Sequence, residues 1–369
     1  MKKLKIKKIY DYFVQSSSSF LRITTLTKKG TVRDVKIQNF TKSMTIILFK
    51  PFLKRFFRID QSKKTGFVEK KYDRLSGVSM ASKYYQYGEE TKFYYVGNAI
   101  EKLPVSEFRI RQRNNYCQII SQFQFDNVLE VGAGELAVVS TVADHFGPKV
   151  NYFALDLSLN RVYQGRQELL KRKKYRIQAC KGNAVALPYP DNSFDIVYSS
   201  HALEHMPYDY QKAINEMCRV AKKAVVLFEP SYELGTFSQK IRILAQDYVK
   251  GIPQHLEKLK RLKKIRSFSY SLMNPGSLFN RTACHQINIS TPTPQEDKED
   301  NEFTQSDNFL YICPACHSGL DSGSSNLFCP RCEQVFFVFE GIPLLDNKYA
   351  FYIGNKYYNN KHTTQTKTT

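Results

Sequence analysis

Four cysteines near the carboxyl end of the chain have the spacing of a metal site. Cys313 and Cys316 form one Cys-x-x-Cys pair, twelve residues follow, and Cys329 and Cys332 form a second pair. Two such pairs suit one tetrahedral Zn²⁺, and four cysteine ligands leave no coordination position open for a substrate. The spacing therefore predicts a structural zinc site, with a redox or disulfide role as the alternative.

A second group of residues suits the binding of a polar ligand. In NVLEVGAGEL, residues 127–136, the apolar residues predict a buried strand, and Gly132 and Gly134 predict a tight turn. A turn without Cβ atoms lets a ligand approach free backbone N–H groups. A second apolar run ends at Asp156 and a third ends at residues 182–183. An acid at that distance from the turn hydrogen-bonds ribose hydroxyls in nucleotide-binding βαβ units.

Together with the stretch LPYPDNSFDIVYSSHALEHM, these residues resemble the class I S-adenosylmethionine-dependent methyltransferases, in particular the type 11 branch that includes quinone-biosynthesis C-methyltransferases. The resemblance covers about residues 80–292. It implies that the glycine turn holds the amino-acid end of S-adenosylmethionine, that Asp156 binds the ribose hydroxyls, and that the turn at Asn183 meets the adenine. The cofactor-binding residues it implies are Glu130, Gly132, Gly134, Asp156, Asn183, Ala184 and Leu187, with Pro188 and Tyr189 continuing the adenine wall.

Two positions depart from the family pattern. Leu136 stands where a third glycine is usual, and Asn183 replaces the usual Asp. An amide oxygen can still accept a hydrogen bond from the adenine amine. We therefore expect Asn183 to weaken cofactor binding rather than abolish it. The same departures favour the alternative of a non-catalytic scaffold that binds the cofactor.

Methyl transfer from a sulfonium is an in-line displacement, and it depends on holding the nucleophile and the methyl carbon in a near-attack arrangement. A base is needed only if the acceptor must lose a proton. In the resembled fold the tip of the fourth strand faces the cofactor sulfur, so His201 is the first candidate, with capping of the next helix as the alternative. The other candidates after the fourth and fifth strands are Ser199, Ser200, Glu204, His205 and Glu229.

His201, Glu204 and His205 also match the H-x-x-E-H pattern of inverzincin proteases. That pattern requires a helix in a protease fold and a third ligand from another helix. Here it follows the predicted strand FDIVYSS inside a nucleotide-binding sheet, which argues against a protease.

Composition places further limits. The net charge is +21, and residues 1–78 hold 20 of the 55 Lys and Arg residues but only 5 of the 34 acidic ones. This segment favours a tether to phosphates or anionic lipid, with a solvated basic arm as the alternative. No stretch approaches the roughly 20 apolar residues of a membrane span, and no signal peptide is evident. Paired and scattered cysteines suit a reducing compartment, so a cytoplasmic location is expected.

Alternating strand and helix patterns between residues 127 and 230 predict a parallel sheet with helices on both faces. The expected fold is α/β: a doubly wound, Rossmann-like seven-stranded methyltransferase sheet with a small C-terminal zinc ribbon and a basic N-terminal extension. The expected strands are 127–131, 150–155, 176–180, 194–198 and 224–229, closed by an antiparallel pair formed by FSYSLM and CHQINIS. The expected domains are the extension (1–78), the methyltransferase domain (79–292), an acidic linker (293–308), the ribbon (309–347) and a polar tail (348–369).

The run FFVFEGIPLL makes residues 309–347 resemble the zinc-ribbon activator subunit of tRNA and protein methyltransferases. On the resemblance of residues 80–292, the expected function is methyl transfer from S-adenosylmethionine to a small or cell-surface acceptor such as a sugar, lipid or quinone-like compound. The alternatives are a tRNA, rRNA or translation-protein methyltransferase, favoured by basic charge and the ribbon, and the scaffold. The expected partners are the unidentified methyl acceptor, RNA or an anionic membrane surface at the basic N-terminal segment, and a protein partner at the ribbon.

Overall fold

The structure is a computed structural model that describes residue 69 and residues 91–172, 177–289, 311–323 and 325–353. Apart from Glu69, the predicted extension at 1–78 lies outside the described residues, as do the acidic linker at 293–308 and residues 354–369 of the tail. No helix in the described ranges is long and apolar enough to cross a membrane.

A seven-stranded sheet forms the centre of the fold, as predicted. Its strands are β3 (Asn127–Val131), β4 (Asn151–Asp156), β5 (Ile177–Gly182), β6 (Phe194–Ser200), β7 (Ala221–Pro230), β8 (Ile265–Leu272) and β10 (Thr282–Ile289). Their order across the sheet is β5-β4-β3-β6-β7-β10-β8, in which β3 to β7 run parallel and β10 runs antiparallel to both of its neighbours. The predicted closing pair is confirmed, while β7 begins three residues earlier than expected.

Helices cover both faces of the sheet because the strands are apolar on both sides. The helices are α1 (Val105–Ile120), α2 (Ala137–Phe146), α3 (Leu159–Arg172), α4 (Tyr210–Val220) and α6 (Ile252–Arg261). In α1 the buried side chains of Phe108, Gln112, Tyr116 and Ile120 recur every four residues and so share one face. The ring of Tyr116 stacks on Phe228 of β7 at 4.0 Å, which seats this face on the sheet.

A hairpin precedes α1 in the part of the tyrosine-rich segment that the structure describes. Its strands are β1 (Thr91–Val96) and β2 (Ala99–Pro104), and β1 also pairs with the short strand β9 (Gly276–Ser277) between β8 and β10. Tyr94 stacks on Phe108 at 3.9 Å, so the hairpin shares a small apolar core with the start of α1.

Residues 231–264 form the insertion that the family resemblance leads us to expect between the fifth and sixth strands of the sheet. They contain α5 (Phe237–Gln246), whose first turn is capped by the hydroxyl of Thr236, and α6. Residues 236–247 belong to a different compact unit from the rest of the described chain.

The cysteine-rich region extends the central sheet. Its strands are β11 (Asp321–Ser322), β12 (Asn326–Cys329), β13 (Gln334–Phe339), β14 (Ile342–Leu345) and β15 (Phe351–Tyr352). β14 pairs in parallel with β5, with Leu344 opposite Lys181 and Leu345 opposite Gly182. Phe336 and Leu345 belong to the same buried apolar cluster as Leu129 of β3. The ribbon and the sheet therefore share a core, a relationship that the sequence did not reveal.

Candidate active site

The predicted cofactor residues lie along one edge of the sheet. Gly132, Asp156 and Asn183 stand at or just after the carboxyl ends of β3, β4 and β5, and these three strands are neighbours. Ligands of open α/β sheets bind at the carboxyl ends of the parallel strands. The structure thus brings together the three segments that the sequence assigned to one ligand.

The turn after β3 requires glycine at two positions. Gly132 and Gly134 have φ angles of +76° and +55°, which residues with side chains rarely adopt. A Cβ at Gly132 would clash with Ala202, and one at Gly134 would clash with the guanidinium of Arg161. The space is therefore closed at Gly132, whereas at Gly134 the end of the Arg161 side chain could move and the positive φ is the stronger restriction.

Leu136 shows how the chain accommodates the missing third glycine. Its backbone adopts φ +59° and ψ 20°, the left-handed conformation that glycine would favour, while its side chain is fully buried. A side chain in this conformation costs about 1–2 kcal/mol. Leu136 packs in the same apolar cluster as Val139 and Val162, and this burial offsets the backbone strain.

Asp156 connects the turn after β3 to the turn after β4. Its Oδ2 accepts a hydrogen bond of 2.7 Å from the backbone N–H of Gly134, and its Oδ1 accepts one of 2.8 Å from the N–H of Ser158. Each carboxylate oxygen has a second lone pair. Asp156 can therefore hold the glycine turn and still accept hydrogen bonds from a ligand's hydroxyl groups.

Glu130 lies beneath the glycine turn and is almost completely buried. Burial raises the pKa of Glu130 to about 8, against the lowering effect of the Tyr198 hydroxyl, which donates to it at 3.2 Å. The carboxyl group thus changes charge near neutral pH. Ionised, it is suited to face a cationic amino-acid group.

The turn after β5 is held by Asn183, which the sequence singled out, and by two residues of α4 that it did not. Asn183 Oδ1 accepts a hydrogen bond of 3.2 Å from the N–H of Val185, so the amide shapes its own turn. The N–H of Leu187 donates to the Glu216 carboxylate at 2.9 Å, and Arg219 donates to the Leu187 carbonyl at 2.9 Å. Both are on α4 and lie three residues apart, a spacing too common on helices to mark them in the sequence.

Ala184 is half-buried against the central core, and Leu187 is fully buried within it. Arg219 also donates to the carbonyl of Tyr189, at 2.8 Å. The segment from Leu187 to Tyr189, which the family resemblance makes the adenine wall, is therefore fixed by α4 on one side.

His201 lies at the tip of β6, beside the glycine turn. Its φ of +54° is a strained backbone conformation of the kind that clusters at functional sites. Its Nε2 lies 2.9 Å from the Thr282 hydroxyl and its Nδ1 lies 3.4 Å from the Glu204 carboxylate. Its side chain is 23% exposed, so part of it is accessible.

The Glu204 carboxylate contacts His201 and two other polar side chains. His201 and His205 lie against its two oxygens, the latter at 3.2 Å, and the Asn280 amide donates at 3.3 Å. The two histidines hold the pKa of the buried Glu204 well below its usual value against the effect of burial. A carboxylate that orients an imidazole in this way supports acid–base chemistry.

The H-x-x-E-H residues do not form the helix that the inverzincin pattern requires. The segment Leu203–His205 is a single 3-10 turn. The rings of His201 and His205 both contact the Glu204 carboxylate. Within the described ranges, the group of side chains placed to hold a metal ion is the set of four cysteines.

The Glu229 carboxylate is occupied by hydrogen bonds, most of them from backbone N–H groups. It accepts hydrogen bonds of 3.0–3.1 Å from the N–H groups of Ala202, Leu203 and Glu204 and from the Ser199 hydroxyl. Burial raises the pKa of Glu229, with the neighbouring Glu204 adding to this effect and His201 opposing it. Of the predicted candidates, Glu229 and Ser199 therefore shape the turn that presents His201.

Thr282 and Gln112 were not identified from the sequence. The Gln112 amide, on α1, donates to the Thr282 hydroxyl at 3.3 Å, and this hydroxyl contacts His201. Both residues are buried polar groups on elements that otherwise pack through apolar side chains. Only the three-dimensional arrangement reveals them.

The four cysteines form one compact cluster. The Sγ atoms of Cys313, Cys316, Cys329 and Cys332 all lie within 4.8 Å of one another. Tetrahedral Zn–S bonds of about 2.3 Å require sulfurs about 3.8 Å apart. The cluster therefore fits an ion with four cysteine ligands in tetrahedral coordination. Two of these cysteines are buried and two are half-buried.

Comparison with known proteins agrees with this geometry. Residues 129–228 match the family model described as "Methyltransferase domain". This segment carries the parallel strands and all three predicted cofactor turns. Residues 129–228 thus match a methyltransferase domain in sequence, and they form the sheet edge at which the three predicted cofactor turns lie.

Among curated proteins, a demethylmenaquinone methyltransferase of Listeria monocytogenes is 30% identical over 143 residues, which are 36% of this chain and 60% of that protein. One from Shouchella clausii is 36% identical over 96 residues, 26% of this chain and 40% of that protein. The chain thus spans about 60% or less of the length of these relatives.

Among solved structures, the magnesium protoporphyrin IX methyltransferase of Synechocystis PCC 6803 with bound S-adenosylhomocysteine is similar, at a TM-score of 0.46 and 11% identity. The matched region covers 62% of this chain and 100% of that structure's chain. A phosphoethanolamine N-methyltransferase of Haemonchus contortus has a TM-score of 0.40 and 17% identity, over 50% of this chain and 53% of that one.

Proposed function

We propose that this protein is an S-adenosylmethionine-dependent methyltransferase that acts on a quinone-like acceptor. The observation that carries the methyl-transfer assignment is the alignment of the Gly132 turn, Asp156 and the Asn183 turn along one sheet edge. The similarity to demethylmenaquinone methyltransferases supports the acceptor class. S-adenosylmethionine supplies an electrophilic methyl group, so the chain has to position an acceptor rather than activate the donor.

In this proposal each part of the site has one task. Glu130 and the glycine turn bind the amino-acid end of the cofactor, Asp156 binds the ribose hydroxyls, and residues 183–187 contact the adenine. His201 lies at the tip of the next strand, β6, on the acceptor side. Near-attack positioning of the acceptor against the methyl carbon supplies most of the rate.

A ring carbon that receives a methyl group must lose a proton. His201 is the side chain best arranged to take it, because Glu204 orients its Nδ1 and stabilises the resulting imidazolium. Its Nε2 has to exchange the Thr282 hydroxyl for the acceptor or for a bridging water. The chain would thus use a carboxylate–imidazole pair as its base.

The acceptor class is tested with a labelled methyl group. Purified protein is incubated with methyl-labelled S-adenosylmethionine and, separately, with a reduced demethylated naphthoquinone, a lipid extract, bulk tRNA and a ribosomal protein fraction. The proposal predicts label in the naphthoquinone and not in the RNA or protein. Label in RNA or protein with none in the quinone would favour the second function.

One observation favours that second function, methylation of RNA or a translation protein. Six cations between Lys258 and Arg266 are exposed along the end of α6 and the start of β8, with Glu257 as the adjacent acid. Such a surface can contact phosphates, and binding through it should weaken steeply with salt. A solvated helix end has the same composition, so the quinone proposal stands first.

We also propose that the cysteine cluster binds one structural Zn²⁺, supported by its spacing and its sulfur geometry. Metal analysis of protein purified without chelator tests this. One zinc per chain, lost in a Cys329→Ser variant, is expected. A zinc-free protein that retains four reactive thiols and a folded ribbon would contradict it.

A further inference from the structure

The ribbon pairs with β5, the strand that leads into the proposed adenine turn. Leu344 and Leu345 of β14 pair with Lys181 and Gly182, the last two residues of β5. Residue 183 begins the turn assigned to the adenine. The ribbon therefore supplies the neighbouring strand that fixes the end of β5 just before this turn.

A second contact reaches the adenine wall itself. The backbone N–H of Ile312 donates a hydrogen bond of 3.1 Å to the carbonyl of Pro188. The rings of Tyr311 and Tyr189 lie next to each other, with centroids 5.6 Å apart. Arg219 of α4 donates to the carbonyls of Leu187 and Tyr189 in the same segment, so both the sheet domain and the ribbon hold the wall.

The metal ligands adjoin these contacts. Ile312 directly precedes Cys313, and the knuckle that begins there closes through hydrogen bonds from the Cys313 N–H to the Ser318 carbonyl and from the His317 N–H to the Cys313 carbonyl. The ribbon shares part of its core with the sheet, and a unit this small draws the rest of its folding energy from its metal. Loss of the ion should therefore release Tyr311 and Ile312 together.

We propose that the metal in the cysteine site sets the cofactor affinity of the methyltransferase domain, with Tyr311 and Ile312 as the positioning residues that hold the wall from Leu187 to Tyr189. This inference rests on the proposed cofactor site. It makes cofactor binding depend on an ion that does not touch the cofactor. A chain that has lost its metal keeps its sheet and binds the cofactor weakly.

Hydrogen exchange tests the coupling without any ligand. Full-length protein is compared before and after treatment with a zinc chelator, and again after zinc is restored. Backbone protection in residues 183–189 should fall with metal removal and return with metal. Residues 224–229, which pair with β10 on the far side of the sheet, serve as the internal control. Unchanged protection in residues 183–189 would overturn the inference.

Calorimetry with S-adenosylhomocysteine measures the consequence. We expect the metal-free protein to bind it about tenfold more weakly than the zinc-loaded protein, which is an ordinary size for coupling between two sites. Equal affinity in the two forms would refute the coupling. No binding by the zinc-loaded protein would refute the proposed function instead, and hydrogen exchange would still decide whether the ribbon orders the wall.

A matched pair of variants avoids the risk that metal removal unfolds more than the ribbon. Tyr311→Ala removes the contact with Tyr189, whereas Phe337→Ala removes an exposed ring elsewhere on the ribbon. Both should retain one zinc per chain. Only Tyr311→Ala should weaken S-adenosylhomocysteine binding, by several-fold. Equal affinities in these two zinc-loaded variants would show that the ribbon does not position the wall.

Discussion

The backbone N–H of Gly134 donates a hydrogen bond of 2.7 Å to the carboxylate of Asp156, a residue 22 positions further along the chain. This bond ties the turn after β3 to the tip of β4 before any ligand arrives. The two segments that would hold the amino-acid end and the ribose of the cofactor are thus one preorganised unit. Preorganisation of this kind reduces the entropy that binding has to overcome.

A Cβ at Gly132 should prevent cofactor binding. Gly132→Ala adds backbone strain of about 1–2 kcal/mol and a clash with Ala202. Gly147→Ala is the matched control, because Gly147 has a φ of +81° and open space around it. We expect both variants to lose stability from strain, Gly132→Ala more because of its clash, and only Gly132→Ala to lose S-adenosylhomocysteine affinity. Calorimetry and thermal melts separate the effects; normal affinity in Gly132→Ala would contradict this role of the turn.

Cofactor binding should depend on pH through Glu130. Burial raises the pKa of this carboxyl to about 8, so at neutral pH it is largely protonated in the free protein. Its contribution to folding stability is present below its ordinary pKa of 4.5 and is lost as pH rises through about 8. S-adenosylmethionine carries positive charge, so its affinity should rise over the same range as Glu130 ionises.

The control for this pH dependence is Glu130→Gln, which keeps the shape of the side chain and cannot ionise. This variant should lack the rise in affinity that ionisation of Glu130 gives between about pH 6.5 and 9, and it should bind more weakly than the native protein at the upper end. Titration of the ligand's own amino group is common to both proteins. Identical pH profiles for the two proteins would assign the titration to another group.

Replacement of His201 should slow methyl transfer without weakening cofactor binding. His201→Asn suits the test, because Asn tolerates the left-handed backbone at φ +54° and lacks the imidazole. Loss of a general base typically lowers turnover about 100-fold or more. Thr282→Val, which removes only the hydroxyl at Nε2, should have a smaller effect. Full turnover in His201→Asn, measured with the labelled acceptor, would leave His201 with a structural role.

The buried charged residues between the ribbon and the sheet should contribute unequally to folding stability. Lys181 lies 3.2 Å from carboxylate oxygens of both Glu69 and Asp346, and its side chain is 4% exposed. Lys181→Met leaves the Asp346 carboxylate without its cation, while Glu69 keeps Lys348 at 2.7 Å, and we expect a cost of about 3–5 kcal/mol. Asp346→Asn leaves Lys181 paired with Glu69 and should cost about 1–2 kcal/mol. Urea denaturation measures both; a larger loss for Asp346→Asn would reverse the assignment.

The parallel sheet and the cofactor turns were predictable because their signals are local. The strand before Gly132 is a continuous apolar run, and the spacing to Asp156 reflects the length of one βαβ unit. The cysteine spacing likewise encodes the sulfur cluster within a short stretch. These features depend on neighbours in sequence, so a single chain displays them.

The rest depends on contacts between distant segments. Nothing in the sequence of β14 shows that it will pair with β5, since a short apolar strand can pair with any free edge. Thr282 and Gln112 are ordinary polar residues until the fold places them beside His201. Leu136 was correctly identified as a departure, and only the structure shows that it occupies the glycine conformation at the cost of strain.

The most direct test of the cofactor site is calorimetric titration of the full-length protein and of Asp156→Ala with S-adenosylhomocysteine, with zinc content and melting temperature recorded for both. We predict one bound ligand per native chain, and in the variant an affinity at least about tenfold lower, the loss of one or two hydrogen bonds to a charged group, with one zinc retained. Equal affinity in the two proteins, or no binding by the native chain, would contradict the assignment of this sheet edge to the cofactor.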